Sequence, residues 1–269
     1  MPELPEVETI ARGLAKRVTG DVIESVWLGQ KKEPLKSPAR AIAAALERSR
    51  IQQVHRMGKH IVFDLDRQKT ESQWIVHLGM TGRLQVCEPH AEVAKHTHAI
   101  LKLSSGRELR FVDPRRFGRL SVATKSAFDT TGIEPLEIDL DQFVRLFRGR
   151  KTPIKSALLN QKLLRGVGNI YADEALFRAG IRPRRRAATI NRESLAKLHA
   201  AIQQVLIEAI ALGGSSVSDY VNADGEEGFF QLEHRVYSRE AEPCLVCKSS
   251  IKRVVIAGRS SHYCPKCQK

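Results

Sequence analysis

Four of the five cysteines stand in two pairs, Cys244-x-x-Cys247 and Cys264-x-x-Cys267, with sixteen residues between them. Each pair offers two thiolates from one tight turn, and two such turns complete a tetrahedron around a zinc ion. The spacing therefore dictates a zinc-ribbon hairpin over residues 244–269, with Val254-Val255-Ile256 and His262-Tyr263 as its arms. Four thiolates leave no open coordination position, so the expected cofactor is one structural Zn²⁺ and not a catalytic one. A redox Cys-x-x-Cys is the alternative, and two copies at ribbon spacing argue against it. The module carries Lys248, Lys252, Arg253, Arg259, Lys266 and Lys269 and no carboxylate. Such a surface suits a phosphate backbone, although a protein partner would also fit it. Cys87 stands alone and reads as an ordinary small strand residue.

The same charge bias runs through the whole chain. With 44 Lys and Arg against 30 Asp and Glu, the 269 residues carry a net charge of +14. This balance points to a polyanionic partner, with mere solubility as the bland alternative. Hydrophobic residues make up 42% of the chain, enough for a buried core and too many for a largely disordered one. No apolar run approaches the roughly 18–20 residues needed to span a bilayer. The opening residues lack the basic and apolar regions of a secretory signal, so a cytoplasmic protein without a membrane partner is expected.

Periodicity divides the rest. Val7, Ile10, Ala11, Leu14 and Val18 recur at helical spacing, with Pro5, Glu6 and Glu8 in the first turn. Strands follow at 22–28, 61–65, 74–78, 99–103 and 108–112, with a hairpin turn at Ser105-Gly106 and a short Ala-rich helix over 39–46. A linker is expected at 130–135. Beyond it come an amphipathic segment from Asp141, a helix begun by Thr152-Pro153 and broken at Gly166-Val167-Gly168-Asn169, and a helix striped with Ala172, Ala175, Leu176 and Ala179. A long last helix carries Leu195, Leu198, Ile202, Val205, Leu206 and Ala209 and closes at Gly213-Gly214. Gly, Ser and acidic residues over 213–228 suggest a mobile loop. The expected fold class is α+β: an N-terminal two-layer β-sandwich with flanking helices over 1–133, a helical domain over 134–233, and the zinc hairpin over 234–269.

The first six residues, Met1-Pro2-Glu3-Leu4-Pro5-Glu6, also carry chemistry. Removal of Met1 before a small residue would leave the secondary amine of Pro2 at the chain end. An α-amino group titrates near about 7.7–8.0, so part of it is neutral at physiological pH and able to attack an electrophilic sugar carbon. Glu3 and Glu6 beside it suit general acid–base work. The plainer reading makes both carboxylates complements to the positive end of a helix.

With these residues on the page, the chain resembles the formamidopyrimidine-DNA glycosylases, bacterial enzymes that excise oxidised purines. The resemblance opens at Pro2-Glu3-Leu4-Pro5-Glu6-Val7-Glu8 and continues through Gly58-Lys59, His77-Leu78-Gly79-Met80-Thr81-Gly82 and Asp113-Pro114-Arg115-Arg116-Phe117-Gly118. It runs on through Gly166–Glu174 and Gly258-Arg259-Ser260 to the four cysteines, and so covers essentially the whole chain.

The resemblance implies a helix-two-turns-helix element in the middle domain, a monomer, and damaged double-stranded DNA as partner. It implies that Pro2 attacks the sugar C1′ to form a Schiff base, with Glu3 moving protons and Glu6 orienting. Lys59 is then assigned to β-elimination and Arg259 to δ-elimination. Because arginine stays charged at any physiological pH, Arg259 is read chiefly as a phosphate clamp. Met80, Arg115 and Phe117 would fill the gap left by a flipped nucleotide, two apolar inserts and one hydrogen-bonding group. The alternative for Met80 and Phe117 is plain core packing. Asn169, His96, Arg150, Lys155 and Arg115 are implied DNA contacts, with Gly166 and Gly168 allowing close backbone approach. The run Arg182, Arg184, Arg185, Arg186 reads as a solvated face.

Three positions depart from the family pattern. Ser238 and Ala241 stand where glycine is common, and Ser260-Ser261 replaces the usual Ser-Thr. The loop over 215–228 would cap the flipped base. Two other readings stay open at this point: a sibling resembling endonuclease VIII, acting on oxidised pyrimidines, and a non-catalytic zinc-ribbon DNA-binding protein. Leu4 and the set Met80, Arg115, Phe117 favour the purine enzyme.

Overall fold

The computed structural model describes residues 1–269 apart from 69, 126, 130, 217–219 and 224. The chain divides into two compact units, one formed by 1–129 with 213–229, the other by 130–212 with 230–269. Among the described residues, no helix is long and apolar enough to cross a membrane.

The first unit opens on helix α1, Leu4–Val18. Glu3 and Glu6 form a reciprocal capping box, and Lys16 and Arg17 occupy the last turn, so both helix ends are electrostatically satisfied. The expected stripe of Val7, Ile10, Ala11, Leu14 and Val18 is buried. It packs into one core with residues of two antiparallel four-stranded sheets. One sheet has the order β2-β3-β4-β8, built from Arg50–Met57, His60–Arg67, Thr70–His77 and Arg119–Thr124. The other has the order β1-β6-β7-β5, built from Ile23–Leu28, Thr97–Leu103, Glu108–Val112 and Arg83–Cys87. The two sheets form the expected sandwich, and the Ala-rich helix α2 spans Ala39–Leu46 as its composition predicts. Cys87 lies half-buried at the end of β5.

Strands β2, β5 and β8 escape the sequence reading. In β2, only Ile51 and Val54 are fully buried, and a register shift follows Ile51. Such a strand is held by its hydrogen-bonded neighbour more than by its own pattern.

The second unit holds α3 (Leu140–Phe147), α4 (Ile154–Leu158), α5 (Asn169–Arg178), α6 (Arg192–Ala211) and the hairpin of β9 (Lys252–Ile256) and β10 (Arg259–Tyr263). Asp139 and Asn191 cap α3 and α6 by accepting N–H bonds from Gln142 and Ser194. Helix α4 is shorter than expected. The Asn160 side chain accepts the Lys162 N–H at 3.0 Å, offering the backbone a turn in place of another helical bond.

The segment 213–229, assigned above to the middle domain, belongs to the first unit. Tyr220 and Ala223 join the sandwich core, and the Ser215 N–H donates to Glu6 Oε1 at 2.8 Å. The expected base-capping loop includes 217–219 and 224, and the expected linker begins at Thr130; these positions lie outside the described residues.

Candidate active site

The N-terminus is held by its own helix. Glu6 Oε2 accepts the Glu3 N–H at 2.7 Å, while Oε1 takes the N–H of Ser215. Pro2, Glu3 and Glu6 are all buried. The Tyr220 hydroxyl donates to the Gly213 carbonyl at 3.0 Å, and burial beside the Glu6 carboxylate pushes its ionisation up. One carboxylate thus ties the start of the chain to the segment at 213–229, a link between residues more than two hundred positions apart.

Beside the chain start lies a cleft of about 420 Å³ lined by Met1, His60, His77, Gly79, Met80, Phe117 and Arg119. His77 Nδ1 accepts the Gly79 N–H at 3.1 Å, so this nitrogen is unprotonated. Burial, with the charges of His60, Arg119 and Lys59 around it, pushes His77 down to about 4. The ring is therefore neutral at pH 7 and carries its proton on Nε2. Lys59, only 8% exposed, sits in the turn between β2 and β3.

Met80 and Phe117 are 42% and 52% exposed, which removes core packing as their explanation. Two loops present them, and buried Asp113 stitches the loops together. Its carboxylate accepts the Thr81 hydroxyl at 2.6 Å, the Gly118 N–H at 2.7 Å and the Arg115 N–H at 3.3 Å. The approach is too close for a side chain at Gly79, where a Cβ would lie 2.5 Å from the Phe117 carbonyl carbon. The Arg115 guanidinium stacks 4.8 Å from the Phe117 ring centre. Met80, Arg115 and Phe117 thus stand on two loops tied together by Asp113, with Met80 and Phe117 lining the cleft. Exposed His96 joins the same framework, since its carbonyl accepts the Asp113 N–H at 3.0 Å.

In the second unit, Asn169 opens α5 half-buried, with its amide 3.5 Å from Ser260 Oγ. Arg259 is exposed next to the β9–β10 turn, where Ala257 and Gly258 both take positive φ. Arg150 is half-buried at the end of α3 and donates to the Leu146 carbonyl. Lys155 differs from expectation. It is fully buried, with Nζ 2.6 Å from Asp173 Oδ1 and 2.7 Å from the Ser260 carbonyl. Its ammonium holds α4, α5 and β10 together in place of the direct DNA contact expected. Arg182 is exposed, as expected of a solvated face, and also donates to the carbonyls of Gln268 and Pro265.

The four cysteine sulfurs lie within 4.8 Å of one another, the arrangement a single metal ion requires. Cys264 N–H donates to Gln268 Oε1, and Gln268 Nε2 donates to the Ile181 carbonyl, each at 2.8 Å. The metal turns are thereby anchored to the segment after α5.

Comparison with known proteins matches this arrangement end to end. Residues 1–120 match the formamidopyrimidine-DNA glycosylase N-terminal domain, 131–221 the H2TH domain of the same enzymes, and 241–269 the zinc finger found in FPG and IleRS. A formamidopyrimidine-DNA glycosylase of Solibacter usitatus is 46% identical, with both chains covered completely. The chain belongs to the formamidopyrimidine-DNA glycosylase family.

The solved structures agree with that membership. The MutM (Fpg) protein from Thermus thermophilus superposes with a TM-score of 0.88 at 41% identity, over 99% of this chain and 98% of that one. A mutant of Lactococcus lactis Fpg, in complex with a Fapy-dG containing DNA, superposes with a TM-score of 0.92 at 33% identity, covering both chains completely. As a formamidopyrimidine-DNA glycosylase, the chain is a base-excision repair enzyme, a DNA glycosylase and AP (apurinic/apyrimidinic site) lyase. Its zinc finger brings together Cys244, Cys247, Cys264 and Cys267, the residues that would hold one Zn²⁺.

Sequence reasoning missed Asp113 and Asp173 as supports, each within its own unit, and gave Lys155 a different role. Asp113, Lys155 and Asp173 are charged yet fully buried, and nothing in a one-dimensional pattern marks a charge as interior. Glu174 is similar, its carboxylate accepting the N–H groups of Arg235, Val236 and Tyr237 at 2.9–3.0 Å. Burial pushes Glu174 up, against those three bonds. The adjacent acids Asp173-Glu174 inside an otherwise apolar helix were the available signal.

Proposed function

We propose that this enzyme excises oxidised purines, 8-oxoguanine and formamidopyrimidines, from duplex DNA through a Schiff base on Pro2, and cuts the strand by β,δ-elimination. The observation that carries the reading is the cleft at the chain start, bordered by neutral His77 and the exposed inserts Met80 and Phe117. The Lactococcus lactis relative crystallised with Fapy-dG DNA supports the substrate class. Met1 borders the cleft, so its removal would leave the Pro2 amine there.

The neutral amine of Pro2 attacks C1′ of the flipped nucleotide. The C1′–N9 bond breaks, and the base leaves with its electron pair and a proton. The amine then loses its proton as the C1′–O4′ bond opens and Glu3 protonates O4′, which leaves an iminium. The iminium acidifies C2′. Loss of that proton forms the C2′–C3′ double bond as the C3′–O bond breaks, and the Lys59 ammonium meets the departing phosphate. Loss of the C4′ proton then forms the C4′–C5′ double bond as the C5′–O bond breaks, with Arg259 clamping the departing phosphate. Water hydrolyses the iminium to release the sugar fragment and restore the Pro2 amine. Asn169, His96, Arg150 and Arg115 serve as DNA contacts, with Lys155 positioning the hairpin. The enzyme acts as a monomer in the bacterial cytoplasm.

The test uses protein whose intact mass shows Met1 removed, with duplexes carrying 8-oxoguanine opposite cytosine, an oxidised pyrimidine, or no lesion. Borohydride is expected to trap a covalent complex preferentially on the oxidised purine, and to trap far less with Pro2→Gly, in which a primary α-amine replaces the secondary one. DNA binding without trapping would overturn the mechanism, and a preference for the oxidised pyrimidine would overturn the substrate class.

A further inference from the structure

We infer that Glu8 and Arg56 are positioning residues for Lys59, acting through the backbone of the turn that carries it. The inference rests on the elimination role proposed above for Lys59. Glu8 lies on α1, one turn beyond the capping box that holds Glu3. Its carboxylate is shared between two guanidiniums. Arg12 Nε lies 2.6 Å from Oε1, and Arg56 Nε lies 2.7 Å from Oε2.

The two arginines differ in what they could do. The Arg12 side chain is 65% exposed and belongs to the same helix, so its pair with Glu8 is a surface contact of small worth. The Arg56 side chain is only 7% exposed and comes from β2, so its pair with Glu8 joins two elements. Burial works to raise Glu8, and the Arg56 and Arg12 guanidiniums overcome it, holding the carboxyl below its usual range. Arg56 is thus fixed as a cation with one edge committed to Glu8.

Its other edge reaches the turn. Arg56 Nη1 donates to the Gly58 carbonyl at 3.2 Å. Met57 pairs with His60, so Gly58-Lys59 is a two-residue hairpin loop, and Gly58 adopts φ +60°. The Gly58 carbonyl belongs to the central peptide of that loop. Two-residue loops differ from one another mainly in the orientation of this peptide, and a flip redirects the side chain that follows it. A guanidinium held by Glu8 and bonded to this carbonyl selects one orientation, and with it the direction in which Lys59 leaves the backbone. The same helix that carries Pro2 and Glu3 at its start therefore sets the aim of the lysine.

The experiment measures two steps separately on abasic-site DNA under single turnover: formation of the borohydride-trapped adduct, and strand cleavage from the adduct already formed. Glu8→Gln and Arg56→Lys are each expected to leave adduct formation within about twofold of wild type while slowing cleavage about tenfold or more, the size typical of a slightly misplaced catalytic group. Arg56→Lys retains the charge pair with Glu8 and loses the fork to Gly58, so it reports on the turn even where Glu8→Gln folds poorly. The decisive comparison adds Lys59→Ala. In that background both variants are expected to have no further effect on cleavage, because they act through the missing lysine. Equal slowing of both steps, undiminished slowing in the Lys59→Ala background, or unchanged cleavage in folded variants would each overturn the inference. A wild-type enzyme that is trapped normally but whose cleavage is insensitive to Lys59→Ala would overturn the role of Lys59 itself.

Discussion

Asp113 shows how one buried charge can organise a surface. It touches no solvent, yet its carboxylate collects a hydroxyl and two backbone N–H groups from the loops that present Met80, Arg115 and Phe117. A charge removed from water is tolerated only when such donors replace the lost hydration. Ser238 and Ala241 illustrate the opposite case, in which a residue works against its backbone. Both stand where the family resemblance implies glycine, and both take the left-handed conformation, with φ of +59° and +67°. A Cβ is disfavoured there by roughly 1–2 kcal/mol, part of which glycine returns as unfolded-chain entropy. Ser238→Gly and Ala241→Gly are each expected to stabilise the second unit by ~0.5–1 kcal/mol, measured as a raised midpoint in denaturant unfolding. No gain in either variant would mean that the left-handed backbone carries no cost here. Family departure and backbone strain coincide at these two positions, which the bare sequence could flag only as unusual.

At the scale of elements, the zinc hairpin depends on neighbours as well as on its metal. Cys244 and Cys264 pack with Phe177, Val236 and Ile251 in a small cluster, and the backbone of Lys269 pairs with Gly180 and Arg182. Two strands of five residues have too little core to persist alone. Chelation of the zinc, or Cys264→Ser, is therefore expected to melt β9–β10 and release Arg259 and Ser260 from their places. DNA affinity should fall by at least about tenfold, while the sandwich unit stays folded, because the metal supplies much of the folding free energy of such modules. Hydrogen exchange should show lost protection over 252–263 and retained protection in the strands of the first unit. Retained hairpin protection without metal would show that Lys155, bonded to the Ser260 carbonyl, is a sufficient anchor. The elements most legible in sequence were α1, α2, α6 and this hairpin, since capping residues, Ala content, periodicity and cysteine spacing are local signals. Strands β5 and β8 were not legible because their ladders are formed with residues distant in the chain, and β2, the hairpin neighbour of β3, was not legible because only Ile51 and Val54 mark its buried face.

Across the whole molecule, buried histidines make stability depend on pH in both units. His77 in the first unit and His234 in the second are pushed down to about 4, chiefly by burial. Between the ordinary imidazole value of 6.5 and about 4, the unfolded chain takes up protons that the folded chain refuses. Stability therefore falls as pH drops through that window, and the histidine contribution to the loss is complete below it. Thermal unfolding is expected to give a flat Tm above neutrality and a falling Tm from 6.5 downward, ahead of the ordinary carboxylate range. In His77→Gln the fall should be shallower, and an unchanged slope would show that His77 is not held neutral. The net charge of +14 adds self-repulsion in the same direction as more groups become cationic.

The family, the zinc ligands, the periodic helical stripes and the residue types that carry the proposed chemistry could all be read from residue order alone. These are properties of spacing and side-chain identity, and they survive without any knowledge of contacts. Which charges are buried, and what they hold, emerged only from the folded chain. Lys155 changed from an expected DNA contact to an interior tie, the segment 213–229 moved to the first unit, Glu6 gained Ser215 as its partner, and Asp113 and Arg56 emerged as supports. The physical reason is that burial and partnership arise from residues far apart in the chain. Ser215 meets Glu6, and Ser260 meets Lys155, across more than a hundred intervening positions in each case.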